Sequence, residues 1–324
     1  MRRSTAVSFY GSQCGAARLD KTGQSARASV EQSGAEADPT GSIQHNDSGR
    51  LEPMSIPSIA TDIVESYLAL ADAEAPGLIE GLYLEGSLAL GDFRPGASDI
   101  DFVAVTAAPP NAVDTAALER IHAKLRQQSR RPFFDGTYLT WHDLTAGPTS
   151  AIGRPTVLEG QMQSKSPASQ QSPVTWHTLA EHGVALRGPA IDDLGIWTDP
   201  AALAAWQNRN LDAYWATGLS RAARLISKPG LGLLSDFGTV WTVTGISRLH
   251  YTLATGKITS KDGAARHALD TFPIRWHRII NEALRLRRND SRTPLYRTPL
   301  ARRRDTLAFG HMAIADAHAI FDRS

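Results

Sequence analysis

The chain changes its hydrophobic rhythm along its length. From Ile59 to Ala73 apolar residues recur at helical spacing, predicting an amphipathic helix packed ahead of a first strand. Leu82-Tyr83-Leu84 and Ile100-Asp101-Phe102-Val103-Ala104-Val105 are short, apolar and rich in β-branched or aromatic residues, so both predict buried strands. Phe133 to Trp141, after the Arg130-Arg131-Pro132 break, predicts another strand, and Leu118 to Leu125 a helix before it, giving a β-α-β-α-β order. After Gly160 the segment is rich in Gln, Ser and Pro and reads as a linker. Beyond it only helical spacing remains. Asp199-Pro200 marks an N-cap and first position opening Ala201 to Ile226, with Leu203, Trp206, Leu211, Tyr214 and Trp215 turned inward. Phe237 to Thr255 is stopped by Gly256, and Ser260 to Leu269, Ile274 to Arg288 and Thr306 to Phe321 follow, a bundle of about five helices by capping signals. The expected class is α+β: a mixed β-sheet with flanking helices, followed by an α-helical bundle.

Residues 1–53 hold Gly, Ser, Ala, Gln and charge with almost no apolar periodicity, and are expected to be a disordered tail. Met54 opens a more ordinary domain start and is an alternative initiator, which would make the tail an artefact of gene calling. The expected organisation is therefore a tail at 1–53, a sheet domain at 54–160, a linker at 161–173 and a helical domain at 174–324. A chain of 324 residues with 42% hydrophobic content is long enough for two cored domains. No run reaches the ~18 apolar residues of a membrane span. Cys14 is the one cysteine, which excludes an intrachain disulfide and a cysteine-based zinc site, and a reducing cytoplasm is the expected compartment.

The chemistry is concentrated between the first two strands. Asp99 and Asp101 lie two apart at the start of a strand and so point to one face. Carboxylates held side by side repel unless a cation lies between them, and oxygen-only ligands suit Mg²⁺. Gly86 permits close backbone approach to a phosphate, and Ser87 offers a hydroxyl and an amide N–H at a helix start. An isolated Asp-x-Asp also fits a surface hairpin. The full constellation of apolar strand, Gly-Ser, spacer, Asp-x-Asp and apolar strand is more specific, and it resembles the active-site signature of the DNA polymerase β nucleotidyltransferase superfamily. The resemblance implies a nucleotidyltransferase domain and a third carboxylate on a neighbouring strand, for which Asp135 is the candidate as metal ligand or as general base; the bland alternative for Asp135-Gly136 is a turn.

Tyr251-Thr252-Leu253-Ala254-Thr255-Gly256-Lys257-Ile258-Thr259-Ser260-Lys261-Asp262 resembles the C-terminal helical domain of bacterial aminoglycoside adenylyltransferases of the streptomycin and spectinomycin class. That likeness implies that Lys261 and Arg248 contact nucleotide phosphates, with ATP as co-substrate, Mg²⁺ as cofactor and a small-molecule hydroxyl compound of aminoglycoside type as acceptor of AMP. Those enzymes commonly place Glu where Asp135 stands, and hold the cationic drug with acidic or aromatic residues; Asp236 and Trp241 lie near the relevant helix. The alternatives are the same architecture acting on another metabolite, a protein or RNA, or an inactive nucleotide-binding protein. The formal net charge of +1 speaks against a globally basic nucleic-acid binder. Arg285, Arg287, Arg288, Arg292, Arg297, Arg302, Arg303 and Arg304 nevertheless crowd one region with only Asp290 and Asp305 near in sequence, and read as a solvated helix face, or else as a surface for an acidic partner or RNA. His177 lacks metal-ligand spacing around it and reads as structural.

Overall fold

The computed structural model describes residues 56–163 and 171–323, so the expected tail and the alternative start at Met54 lie outside the described residues. Helix α1 (Ser58–Glu74) precedes β1 (Gly81–Glu85), a single turn α2 (Gly86–Ala89), β2 (Ile100–Thr106), α3 (Ala112–Gln128), β3 (Phe134–Thr140), α4 (Trp141–Ala146), β4 (Thr156–Leu158) and β5 (Gln161–Gln163). Helix α5 (Pro173–His182) and β6 (Val184–Arg187) complete the sheet region, whose strand order is β5-β4-β3-β2-β1-β6. β2 and β3 run parallel across α3, and the remaining pairs are antiparallel. The central strands are buried on both faces, which is why they read as nearly continuous apolar runs.

Strand alternation sorts these runs into two cores. Leu82, Leu84, Ile100, Phe102, Phe134 and Tyr138 face α1 and α3 and pack with Tyr67, Leu118 and Ile121. Tyr83, Val103, Val105 and Leu139 face the other way and pack with Leu144, Trp176 and Leu179. The register pairs Glu85 with Asp101 and Asp101 with Asp135, so one acidic row crosses three neighbouring strands on the face that α5 covers. Asp135-Gly136 is strand, not turn.

The helical region contains α6 (Pro200–Asn210), α7 (Thr217–Ala223), α8 (Lys228–Gly232), α9 (Asp236–Thr255), α10 (Lys261–Thr271), α11 (His277–Arg287) and α12 (Pro299–Phe321), with α9 packed by α10, α11 and α12. The predicted caps are present: Asp199 accepts from Ala202 N–H, Ser260 from Gly263 N–H, and Gly256 ends α9 at φ 71°. Within α9, Gly245 seats the Trp215 ring, where a Cβ would lie 2.3 Å from Cη2.

Three expectations need correction. The sheet region does not end at residue 160, because β5 lies within the expected linker and β6 returns from the expected helical domain to pair with β1. Short edge strands carry too few residues for a two-residue period to register. The predicted helix 201–226 is instead α6, a π-helical stretch (Leu211–Ala216) and α7, and the last helix begins at Pro299 with Thr298 as its cap. The arginine-rich region is a solvated face only in part: Arg288, Arg292, Arg297 and Arg304 are exposed, whereas others turn inward. Arg287 and Arg302 have side chains only 4% and 9% exposed, and they pair with acids from distant sequence: Asp92 and Asp262 for Arg287, Asp236 and Glu282 for Arg302.

Candidate active site

A cleft of about 860 Å³, open to solvent, lies where the sheet region meets the helices. It is lined by Glu85, Gly86, Ser87, Asp99 and Asp101 from the sheet side and by Arg248, Ser260, Lys261 and Arg287 from α9, α10 and α11. Six of the seven residues singled out in the sequence thus share one cleft. The seventh, Asp135, is in register beside Asp101 but does not line it. Its Oδ1 accepts from Gly160 N–H at 2.7 Å and its Oδ2 from Glu159 N–H at 2.9 Å. Among the described residues no group of three His, Cys, Asp or Glu stands where it could hold a metal ion, so the expected trio of carboxylate ligands is not assembled in this conformation.

Gly86 turns the chain from β1 into α2 at φ 63°, and a Cβ there would lie 2.1 Å from Asp101 Oδ2. Both the left-handed backbone and the contact demand glycine. Gly86→Ala is expected to cost about 1–2 kcal/mol from the backbone conformation alone and to push Asp101 out of place. Paired denaturation and activity measurements would check this, with activity falling further than the stability loss explains.

Burial dominates the electrostatics. It lifts Asp99 to about 6, against the nearby Arg131, and Asp101 well above the usual carboxylate range, helped by Glu85, Asp99 and Asp135. Burial also lifts Asp135 to about 7, opposed by the Gly160 N–H, and Glu85 to about 8, opposed by Arg248. On the facing wall burial lowers Lys261 to about 7, aided by repulsion from Arg287, and lowers Arg248 as well. Each wall therefore holds like charges that an opposite charge would relieve. Ser87 Oγ is buried with no hydrogen-bond partner among the described residues. Two carboxylates open to a cleft beside an unsatisfied hydroxyl are a donor set that fits a hard divalent cation, with remaining positions left for substrate oxygens and water.

A pH dependence follows. A carboxyl whose folded pKa is raised contributes stability that is complete below its unfolded pKa and lost as pH rises through the folded value. For Asp99, Asp135 and Glu85 that loss begins near pH 4 and is complete by about pH 6, 7 and 8 respectively. Lys261 acts oppositely, adding stability as pH rises above about 7. Because a cation binds only ionised carboxylates, Mg²⁺ is expected to raise the melting temperature more at pH 8 than at pH 6. Equal shifts at both values would contradict the assignment.

Several cleft residues went unnoticed in the sequence. Glu85 is hidden as the last residue of an apolar strand, Arg287 within a basic run, and Thr175 and Thr178 in the segment Pro173 to Thr178, where a three-residue spacing on one helix face was the available signal. His177 is structural, its Nε2 accepting from Asp199 N–H at 3.1 Å. Trp241 stacks with Phe237, and the Lys261 ammonium lies 6.0 Å from its ring centre. Asp236 is paired with Arg302 at 2.6 Å.

Residues 70–133, which span β1, the Gly-Ser turn and the Asp-x-Asp strand, match the family model described as "Nucleotidyltransferase domain". With the mixed sheet and its flanking helices, this part of the chain resembles a nucleotidyltransferase domain. Residues 233–302 match "Aminoglycoside adenylyltransferase, C-terminal domain", so within that class the chain resembles the aminoglycoside adenylyltransferases. The fold is also that of a crystal structure of spectinomycin adenyltransferase AAD(9) from Enterococcus faecialis with ATP and spectinomycin, at a TM-score of 0.55 and 12% identity over 79% of this chain and 99% of that one. No curated protein matches the chain. Among the described residues no helix is long and apolar enough to cross a membrane.

Proposed function

We propose that the protein transfers AMP from ATP to a hydroxyl of a small-molecule acceptor of aminoglycoside type, with Mg²⁺ as cofactor. The observation that carries this reading is the single cleft that joins Gly86, Ser87, Asp99 and Asp101 on one wall to Arg248 and Lys261 on the other. Asp99 and Asp101 would hold the metal, which when bound supplies positive charge against the triphosphate oxygens. Ser87 Oγ, unsatisfied among the described residues, donates to a phosphate oxygen. Lys261 and Arg248 neutralise the departing pyrophosphate. The acceptor oxygen attacks the α-phosphorus in line, the bond from that phosphorus to the bridging oxygen breaks, and pyrophosphate leaves with the bonding pair.

Asp135 is the proposed acceptor of the hydroxyl proton: its affinity for a proton near pH 7 suits a general base, and because it stands beside Asp101 just outside the cleft lining, the role requires it to be brought to the acceptor when substrates bind. Each Asp135 oxygen accepts one backbone N–H and keeps a second lone pair for this task. The activity is accordingly expected to fall as pH drops below about 7. Most of the rate gain comes from positioning and charge compensation. The acceptor class is supported by the likeness of residues 233–302.

Pyrophosphate release by the full chain with Mg²⁺ and ATP, with and without streptomycin and spectinomycin, tests the reading. Release that requires one of the drugs supports it. Mg²⁺-dependent ATP binding with no release in the presence of either drug would defeat the acceptor assignment.

A further inference from the structure

We propose that Arg287 is a third triphosphate-binding cation, carried by α11 and aimed into the cleft by the carboxylates of Asp92 and Asp262. The inference rests on the nucleotidyltransferase reading above and adds a residue to it. Arg287 lies on a different helix from Arg248 and Lys261, and its side chain is 4% exposed although it lines the cleft. Nη2 donates to Asp92 Oδ2 at 2.6 Å and to Asp92 O at 3.2 Å, while Nε donates to Asp262 Oδ1 at 3.2 Å. None of these bonds uses Nη1.

The charge around this residue is unbalanced. Asp92 and Asp262 face Arg94, Arg266, Arg287 and Arg288 within hydrogen-bond or ion-pair distance, so two carboxylates meet four guanidinium groups. The charge of Arg287 reaches both other cations of the wall, disfavouring protonation of Lys261 and of Arg248. Arg287 thus repels both other cations on its wall of the cleft, an arrangement that a polyanion would relieve, and a guanidinium already fixed by two carboxylates loses little freedom on meeting a phosphate. A purely structural arginine in such a cluster would need no place on the cleft wall.

The test is the binding of ATP and of AMP, both with Mg²⁺, to the full-length protein and to Arg287→Met, Arg287→Lys and Arg288→Met. Arg288 shares Asp262 with Arg287 but does not line the cleft. The unaltered protein is expected to prefer ATP. Arg287→Met should shrink that preference about tenfold or more, the scale of a charge-assisted hydrogen bond. Arg287→Lys should keep most of it, and Arg288→Met all of it. An unchanged preference in Arg287→Met overturns the proposal, as does an equal loss in Arg288→Met, which would make the effect one of cluster integrity. No preference for ATP in the unaltered protein would instead defeat the nucleotidyltransferase reading itself.

Discussion

Replacing Asp101 with Asn is expected to lower pyrophosphate release by about 10³-fold or more while leaving the protein folded. Asn keeps the shape of the side chain and removes the charge that would hold the metal. In the metal-free protein that charge is already disfavoured, because burial and the carboxylates of Glu85, Asp99 and Asp135 push Asp101 toward its neutral form. The substitution should therefore leave the melting temperature in a chelator unchanged or raise it, and should abolish the Mg²⁺-dependent rise. Loss of activity together with unfolding would signal a structural carboxylate. Retention of a tenth of the activity would remove Asp101 from the mechanism.

Asp262→Ala is expected to destabilise the protein by about 3–5 kcal/mol, the cost of breaking a buried ion pair by removing one partner. Asp262 is 4% exposed at the start of α10 and accepts from Arg94 at 3.0 Å, from Arg287 at 3.2 Å and from Arg288 at 2.9 and 2.7 Å. Its removal leaves Asp92 as the sole close carboxylate for Arg94 and Arg287 and takes away the carboxylate that binds Arg288. Arg94 and Asp92 belong to the loop after α2, whereas Asp262, Arg287 and Arg288 belong to α10 and the end of α11, so the loss falls on the junction that forms the cleft. Thermal unfolding should show a fall on the order of 10 °C. Asp290→Ala serves as the contrast, since its partner Arg292 is 76% exposed and such pairs contribute little. Equal melting temperatures for the two variants would show that the buried cluster contributes no more than a surface pair.

The Gly-Ser turn and the Asp-x-Asp strand were legible because each requirement is local. A left-handed glycine, a hydroxyl one residue later and two acids on alternate strand positions are fixed by backbone geometry within a single β1-to-β2 passage. The helix starts at Asp199 and Ser260 and the stop at Gly256 were legible for the same reason, since a cap joins residues three or four apart. Arg248 and Lys261 were found through family likeness, because neither spacing nor periodicity marks a phosphate contact.

By itself, then, the sequence determined the three central strands and the principal helices of the α+β fold, the acidic strand and the capped helices of the C-terminal half, all set by interactions of short range along the chain. Tertiary structure decided the rest. It returned β6 to the edge of the sheet, joined Asp135 to the backbone of Glu159 and Gly160, and turned part of an apparent basic surface, Arg287 and Arg302 above all, into internal ion pairs with Asp92, Asp236, Asp262 and Glu282. The reason is physical: a charge's partner is set by distance in space, and for Arg287 and Asp92 that distance is 2.6 Å across 195 residues of chain.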